Sequence, residues 1–173
     1  LLNKSLLRRV EPGRYHVHEL IRQFAAEKLA GLPDLAQRTR DAHCARYLGE
    51  LAALTQDLHG AGQRRALSAI AAEVDNIRAA WSYAARVADY TRLGAAIDAL
   101  GTVHELSGHY SAGEHLFGVA LAKLSDFASG VEGVSPGKAR VEARLLAWHG
   151  NFCRLLGRQE EAQRDLALAT RLV

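Results

Sequence analysis

The spacing of apolar and polar positions changes period once, near the start of the chain. Residues 5–18 hold two short runs, Ser5-Leu6-Leu7-Arg8-Arg9-Val10 and Tyr15-His16-Val17-His18, around Glu11-Pro12-Gly13-Arg14. Pro12 presets φ and Gly13 accepts positive φ, so the four central residues suit a type II turn between two short strands. From Glu19 onward Leu20, Ile21, Phe24, Ala25 and Leu29 recur at three- and four-residue steps, predicting a helix that ends near Gly31-Leu32-Pro33. Asp34 is placed to cap a second helix running to about Leu58, with Leu35, Ala42, Ala45, Leu48, Leu51, Ala52 and Leu58 on or near one face. Gly60-Ala61-Gly62 ends it, and a third helix is expected over about Arg64 to Ala88, carrying Leu67, Ile70, Ala71, Val74, Ile77, Ala80, Trp81 and Ala84. The second and third helices are expected to pair as an antiparallel hairpin.

The remainder repeats itself. An offset of 49 residues sets Gly101 on Gly150, Gly108 on Gly157, Gly113 on Ala162, Phe117 on Leu166 and Ala120 on Ala169. Each half therefore reads as a helix with an internal glycine, a glycine at its end, and a second helix with a small residue near its start. The internal glycines suit close helix approach, and Gly108 and Gly157 suit the positive φ of a helix C-terminus. Ser111-Ala112-Gly113-Glu114 has the spacing of a capping box. Residues 125–137 are rich in Gly and Ser and end at Ser135-Pro136-Gly137, predicting a loop insertion before a new helix. Removing about 15 residues for that loop leaves a period of about 34, the length of a tetratricopeptide unit.

Composition narrows the class to an all-α protein: 49% of residues are hydrophobic, 24% charged and only 6% aromatic, with Ala and Leu dominant. The net charge of +3 arises from 22 basic and 19 acidic residues scattered along the chain, so no stripe favours nucleic acid. No apolar stretch has the length of a membrane span, and the start lacks a secretory layout. Cys44 and Cys153 stand far apart without CxxC spacing, which predicts neither a disulfide framework nor a zinc site and points to a reducing cytoplasm. Methionine is absent, the chain opens at Leu1 and it stops at Val173 within a helical pattern; these features predict a segment of a longer polypeptide.

Candidate catalytic chemistry is sparse. His18-Glu19-Leu20-Ile21-Arg22 lacks the second His of a zincin helix, and the eight histidines are dispersed. His16 and His18 share a strand face, but packing within the hairpin accounts for them more economically than metal ligation. Cys44 beside His43, and Cys153 with His149, lie inside apolar helical patterns where cysteine serves as a small core residue. Asp75-Asn76 suits a cap or an interhelical hydrogen bond, and Trp81 and Trp148 sit on packing stripes. The expectation is therefore no catalytic residue, no metal and no cofactor held by this chain, which also lacks a GxxxxGK[ST] phosphate loop.

Gly101, Gly108, Tyr110, Gly113, Phe117 and Ala120-Leu121 resemble a tetratricopeptide repeat, and Gly150, Gly157, Ala162, Leu166 and Ala169 resemble a second, with Gln159 in place of Tyr110. Leu2-Asn3-Lys4-Ser5-Leu6-Leu7, followed by Arg14 through Ala25 (Arg-Tyr-His-Val-His-Glu-Leu-Ile-Arg-Gln-Phe-Ala), resembles the last hairpin and helix of the winged-helix domain in STAND, or NB-ARC, signal-transduction ATPases. Glu73-Val74-Asp75-Asn76-Ile77-Arg78-Ala79-Ala80-Trp81 is similar to a helix that bacterial regulators of this kind carry where their repeat arm begins. The resemblance implies three parts: 1–32 as the end of a winged-helix domain, 33–89 as a linking helical hairpin, and 90–173 as two repeats with an insertion at about 125–137, in a short right-handed solenoid.

The resemblance also implies function. In that family a Met-His-Asp-like triplet ends the hairpin, and its His contacts the phosphate of ADP in the closed form; here the triplet is Val17-His18-Glu19, so His18 inherits that role in a full-length protein, with Arg22 on the same polar surface. ATP or ADP would bind an upstream domain in cis. The segment itself would be a regulatory, non-enzymatic coupler of nucleotide state to a protein, peptide or small inducer on the concave face of the repeats, in a bacterial transcriptional or signalling regulator. The family plan puts Asp98, Thr102, Glu105 and His109 on that face from one repeat and Arg144, Asn151, Arg154 and Arg158 from the next, a pattern that suits either an acidic peptide or surface ion pairs of these arginines with Asp98 and Glu105 across the groove. Ala147 departs from it, standing where a carboxylate clamp would carry Lys one turn before Asn151. The alternatives are a stand-alone tetratricopeptide adaptor, set apart by the absence of any upstream phosphate loop, and an enzyme, for which the chain displays no residue set.

Overall fold

A computed structural model describes residues 7–11, 14–128 and 136–172. The expected turn at Pro12-Gly13 and the segment before Leu7 lie outside the described residues. The chain divides into two compact units, residues 1–41 and 42–173, with the division falling inside one helix.

In the first unit β1 (Leu7–Glu11) pairs antiparallel with β2 (Arg14–Val17), Leu7 opposite Val17 and Arg9 opposite Tyr15, with an irregularity between Arg9 and Glu11. Helix α1 (Glu19–Ala30) follows, and His18 is its N-cap, accepting the Leu20 N–H on Nδ1 at 3.3 Å. The stripe expected to pack does not: α1 buries no residue, and Leu20 and Phe24 are more than half exposed. A two-stranded ribbon and one helix offer too little apolar surface to cover a helix stripe. Pro33 occupies the first position of α2 (Pro33–Ala53), as its fixed φ permits, so Asp34 lies inside the first turn and favours the helix by charge rather than as its cap.

The second unit carries the core. Helix α2 faces it through Cys44, Leu48 and Leu51, while Leu35, Ala42 and Ala45, expected on the packed face, are exposed. The chain breaks at Leu54, gives the short α3 (Thr55–Leu58), and continues as α4 (Gln63–Ala72) and α5 (Val74–Arg86), where the pattern predicted one helix over 64–88. The break is at Glu73, whose φ of −115° leaves the helical region and whose carboxylate accepts from the Asn76 amide at 2.7 Å. It lets Ile70 of α4 and Ile77 of α5 both reach the core, each 4% exposed.

Two helical hairpins complete the unit: α6 (Tyr90–Leu106) with α7 (Tyr110–Ala128), and α8 (Pro136–Leu155) with α9 (Gln159–Leu172). Helix α6 packs against α5, α7 and α8, and α8 against α6, α7 and α9. Asp89 caps α6 by accepting the Arg92 N–H at 3.0 Å. Helix α7 begins at Tyr110, one residue before the expected cap, so Ser111 is already helical and Glu114 turns to other partners. Residues 129–135, most of the expected insertion, lie outside the described residues; α7 runs on to Ala128 and Pro136 opens α8.

Three connections share one geometry. The N–H of Asp89 bonds the Ala84 carbonyl, that of His109 the His104 carbonyl and that of Arg158 the Cys153 carbonyl, each reaching five residues back. The residue before each donor has positive φ: Ala88 at 53°, Gly108 at 68° and Gly157 at 80°. This is the αL cap that satisfies the last carbonyls of a helix. At the centre, Phe117 packs against Trp81 (5.4 Å between ring centroids), Phe152 (5.7 Å) and Trp148 (6.3 Å). The indole N–H of Trp81 donates to the Leu116 carbonyl at 3.2 Å. The described residues leave no buried polar side-chain atom without a partner.

Candidate partner-binding site

Of the eight residues projected from the repeat plan, Asp98, Glu105, Arg144, Asn151 and Arg154 lie along the seam between α6 and α8. Asp98 accepts from the Arg144 guanidinium at 2.7 Å and from the Trp148 indole N–H at 3.1 Å, while Arg144 also donates to the Gly94 carbonyl at 2.8 Å. One turn of α6 further on, Glu105 accepts from the Asn151 amide at 3.1 Å, and the Asn151 oxygen accepts from Arg154 at 2.8 Å. The seam is thus a polar ladder laid over the aromatic cluster, with Asp98, Glu105, Arg144 and Asn151 half-buried.

Three of the eight residues stand apart, Arg158 among them, since it bonds Glu114 of α7 and Glu161 of α9 rather than any residue of α6. Thr102 is buried at 5% exposure and faces the core rather than a ligand, because Gly101 beside it draws this turn of α6 against α8. His109 is exposed beyond the helix end. The three arginines also differ. Arg144 is committed to Asp98, and Arg158 to Glu114 at 3.1 Å and Glu161 at 3.6 Å, with its pKa raised chiefly by the bond to Glu114. Arg154 is exposed and, among the described residues, is hydrogen-bonded only to an amide. It is the arginine of the three whose guanidinium retains its capacity for an incoming carboxylate.

Glycines set this geometry. A Cβ on Gly101 would lie 2.2 Å from Trp148 and one on Gly113 2.7 Å from Phe152, so both aromatic rings of α8 rest where side chains of α6 and α7 would otherwise stand. Beyond the seam, Arg140, Ala143, Arg144, Ala147, Leu166, Ala169 and Thr170 line an open groove of about 480 Å³ between α8 and α9. By the 49-residue offset, its Leu166 and Ala169 correspond to Phe117 and Ala120, which are fully buried in the first pair.

His18 lies in the first unit, exposed at the strand-to-helix junction. With Nδ1 accepting the Leu20 N–H, the neutral ring carries its proton on Nε2, free to donate outward. Arg22 is engaged by Glu19 through two bonds of 2.7 and 2.6 Å, and these, with Gln23, lower the Glu19 pKa to about 2. The side chain of His16 lies outside the described residues.

On the opposite side of α8, His149 and Cys153, which the sequence pattern assigns to packing, belong to a polar cluster. His149 stands between Glu114 of α7 (Nε2 to Oε1, 3.4 Å) and Asp165 of α9 (Nδ1 to Oδ2, 2.6 Å), with the Cys153 thiol 3.8 Å from Nδ1. Burial raises the Cys153 pKa, and the Asp165, Glu161 and Glu114 carboxylates add to that, against Arg158. No family model, no curated protein and no solved structure matches the chain. Among the described residues no helix is long and apolar enough to cross a membrane.

Proposed function

We propose that the chain is the regulatory, partner-binding segment of a STAND-type signalling ATPase. In this reading α6–α7 and α8–α9 are two tetratricopeptide-like repeats of a short right-handed solenoid, and β1, β2 and α1 are the end of a winged-helix domain. What supports it is the polar ladder along α6 and α8: the first helices of two hairpins built on one glycine plan present Asp98, Glu105, Asn151 and Arg154 on a common seam. An acidic peptide or acidic protein segment is the partner, entering through Arg154 and exchanging a carboxylate of its own for the one that Arg144 now holds. Engagement would favour the open form over a closed, ADP-bound one through contacts made only in the open form.

The test is titration of acidic peptides of varied sequence into the chain, followed by anisotropy. Arg154→Glu is expected to weaken the tightest peptide roughly tenfold or more, since it removes a charge-assisted hydrogen bond. Arg164→Glu, on the exposed side of α9, should leave it unchanged. Binding kept in Arg154→Glu and lost in Arg164→Glu would overturn the assignment.

A further inference from the structure

We infer that Glu114, His149 and Cys153 form a binding site for a zinc-like divalent transition-metal ion, with Asp165 fixing the histidine ring. This inference does not rest on the partner reading above. One Glu114 oxygen, one His149 nitrogen and the Cys153 sulfur all lie within 4.8 Å of one another. His149 and Cys153 are four apart on α8 and share a face, and Glu114 reaches them from α7. Asp165 takes Nδ1 at 2.6 Å, which leaves Nε2 as the ligating nitrogen, already 3.4 Å from Glu114 Oε1. That is the carboxylate–histidine–metal arrangement in which an outer carboxylate sets tautomer and orientation. Bond lengths of ~2.3 Å to sulfur and ~2.0 Å to nitrogen and oxygen space tetrahedral ligands about 3.3–3.6 Å apart, so the three ligand atoms, now within 4.8 Å of one another, must draw in on binding. A Cys, His and Glu donor set suits Zn²⁺ rather than Mg²⁺ or Ca²⁺, which take oxygen ligands.

The repeat plan does not explain these residues as packing. At the 49-residue offset the counterparts of His149 and Asp165 are Leu100 and Leu116, so the fold accepts apolar side chains at these places. Here they are ionisable and largely enclosed, with His149 at 15%, Asp165 at 17% and Glu114 at 22% side-chain exposure. Two glycines leave room for them: a Cβ on Gly118 would lie 3.1 Å from His149 Nε2, and one on Gly150 3.2 Å from Asp165 Cβ. Arg158 holds Glu114 through Oε2 at 3.1 Å and more loosely through Oε1 at 3.4 Å, bonds that orient the carboxylate and of which the longer would yield to the ion, and Glu161 offsets its charge. On binding, the Cys153 S–H gives its proton to solvent as the sulfur–metal bond forms; no electron changes hands.

The experiment uses Co²⁺ as a spectroscopic probe on the reduced 173-residue chain. One equivalent is expected to produce visible tetrahedral ligand-field bands and a near-ultraviolet thiolate charge-transfer band, with Zn²⁺ displacing both. Cys153→Ser should abolish the charge-transfer band, Glu114→Gln should weaken binding, and Asp165→Asn should weaken it about 10–100-fold with both bands retained. Cys44→Ser should change nothing. Circular dichroism confirms helicity in each case, and Glu114→Gln, nearly isosteric, keeps the test decisive if a Cys153 variant unfolds. Absence of the charge-transfer band at one equivalent, its survival in Cys153→Ser, or unaltered affinity in Glu114→Gln overturns the site.

Discussion

Trp148 occupies the space that a side chain on Gly101 would fill, since a Cβ there would sit 2.2 Å from the indole Cδ2 and 2.3 Å from Cε2. The indole cannot step aside without breaking its bond to Asp98 and its stack on Phe152, 5.8 Å between centroids. Gly101→Ala is therefore expected to destabilise the chain by ~1–3 kcal/mol through overpacking, despite the better helix propensity of alanine. Gly49→Ala, at a helical position with nothing within 4 Å, should instead stabilise by ~0.5–1 kcal/mol. Chemical denaturation of both variants checks the contrast in sign.

Ala88 holds a left-handed conformation that glycine holds at the two other caps of the same kind. A Cβ in that region costs ~1–2 kcal/mol. Ala88→Gly should recover roughly 1 kcal/mol, while Gly157→Ala should lose a similar amount with nothing for its Cβ to strike within 4 Å. Thermal unfolding decides this: if Ala88→Gly melts below the parent, strain at Ala88 is not what limits that cap.

The same two caps show why some of the fold was legible and some was not. Gly108 and Gly157 announce their backbone by residue type, because glycine alone adopts that φ freely, whereas Ala88 gives no such sign. The 49-residue offset located the repeated hairpins because glycine and alanine mark places where rings or backbones come close. It could not tell that Phe117 is buried and Leu166 is 44% exposed, since that depends on what covers each pair. Helix breaks at Leu54 and Glu73 were invisible to periodicity because the apolar stripe continues across them. The ladder residues on α6 and α8 came from the repeat plan together with the pairing of an arginine to Asp98, while the choice of Arg144, and of Asn151 rather than an arginine for Glu105, needed the fold. The His149 cluster was half visible, as a His and a Cys four residues apart, while Glu114 and Asp165 arrive from neighbouring helices and leave no mark in spacing.

Acidification should weaken the second unit through His104. Its ring is buried at 5% exposure, with one ring nitrogen bonded to the Leu100 carbonyl at 2.9 Å. Burial lowers its pKa below 6.5, and Arg78 and His109 push the same way, against that hydrogen bond. The unfolded chain then takes up the proton more readily than the folded one, so this stability is present above pH 6.5 and lost as pH falls from there toward the folded pKa. The melting temperature should drop between about pH 7 and pH 5, and His104→Leu should flatten that part of the profile. A slope unchanged in His104→Leu would assign the titration to another group.

Arg144 and Asp98 should be coupled weakly in stability and more strongly in binding. Their side chains are 34% and 49% exposed, so solvent screening limits the pair to ~0–1 kcal/mol in a double-mutant cycle of Arg144→Ala and Asp98→Ala. Asp98→Asn keeps an acceptor for the Trp148 indole but releases Arg144 for an incoming carboxylate, and so should tighten acidic-peptide binding several-fold. Weaker binding in Asp98→Asn, with the fold intact, would mean that Arg144 works only as a strut of the seam.

His18→Ala separates a structural role from a sensing one. The ring caps α1 through a single exposed bond of 3.3 Å, so its loss should fray the first turn at a cost of no more than ~1 kcal/mol. His18→Asn restores a capping acceptor of similar reach but cannot present the outward N–H from the same place. In a full-length protein, if His18 holds the ADP phosphate of the closed form, both variants should release ADP faster and raise basal output, because each loses a contact made in that form alone. If the residue is only a cap, His18→Asn should behave as the parent and His18→Ala should differ from it in helicity alone. Nucleotide off-rates alongside circular dichroism of the two variants give the answer. Parental ADP retention in both would remove His18 from the switch and leave the acidic-peptide seam to be tested independently.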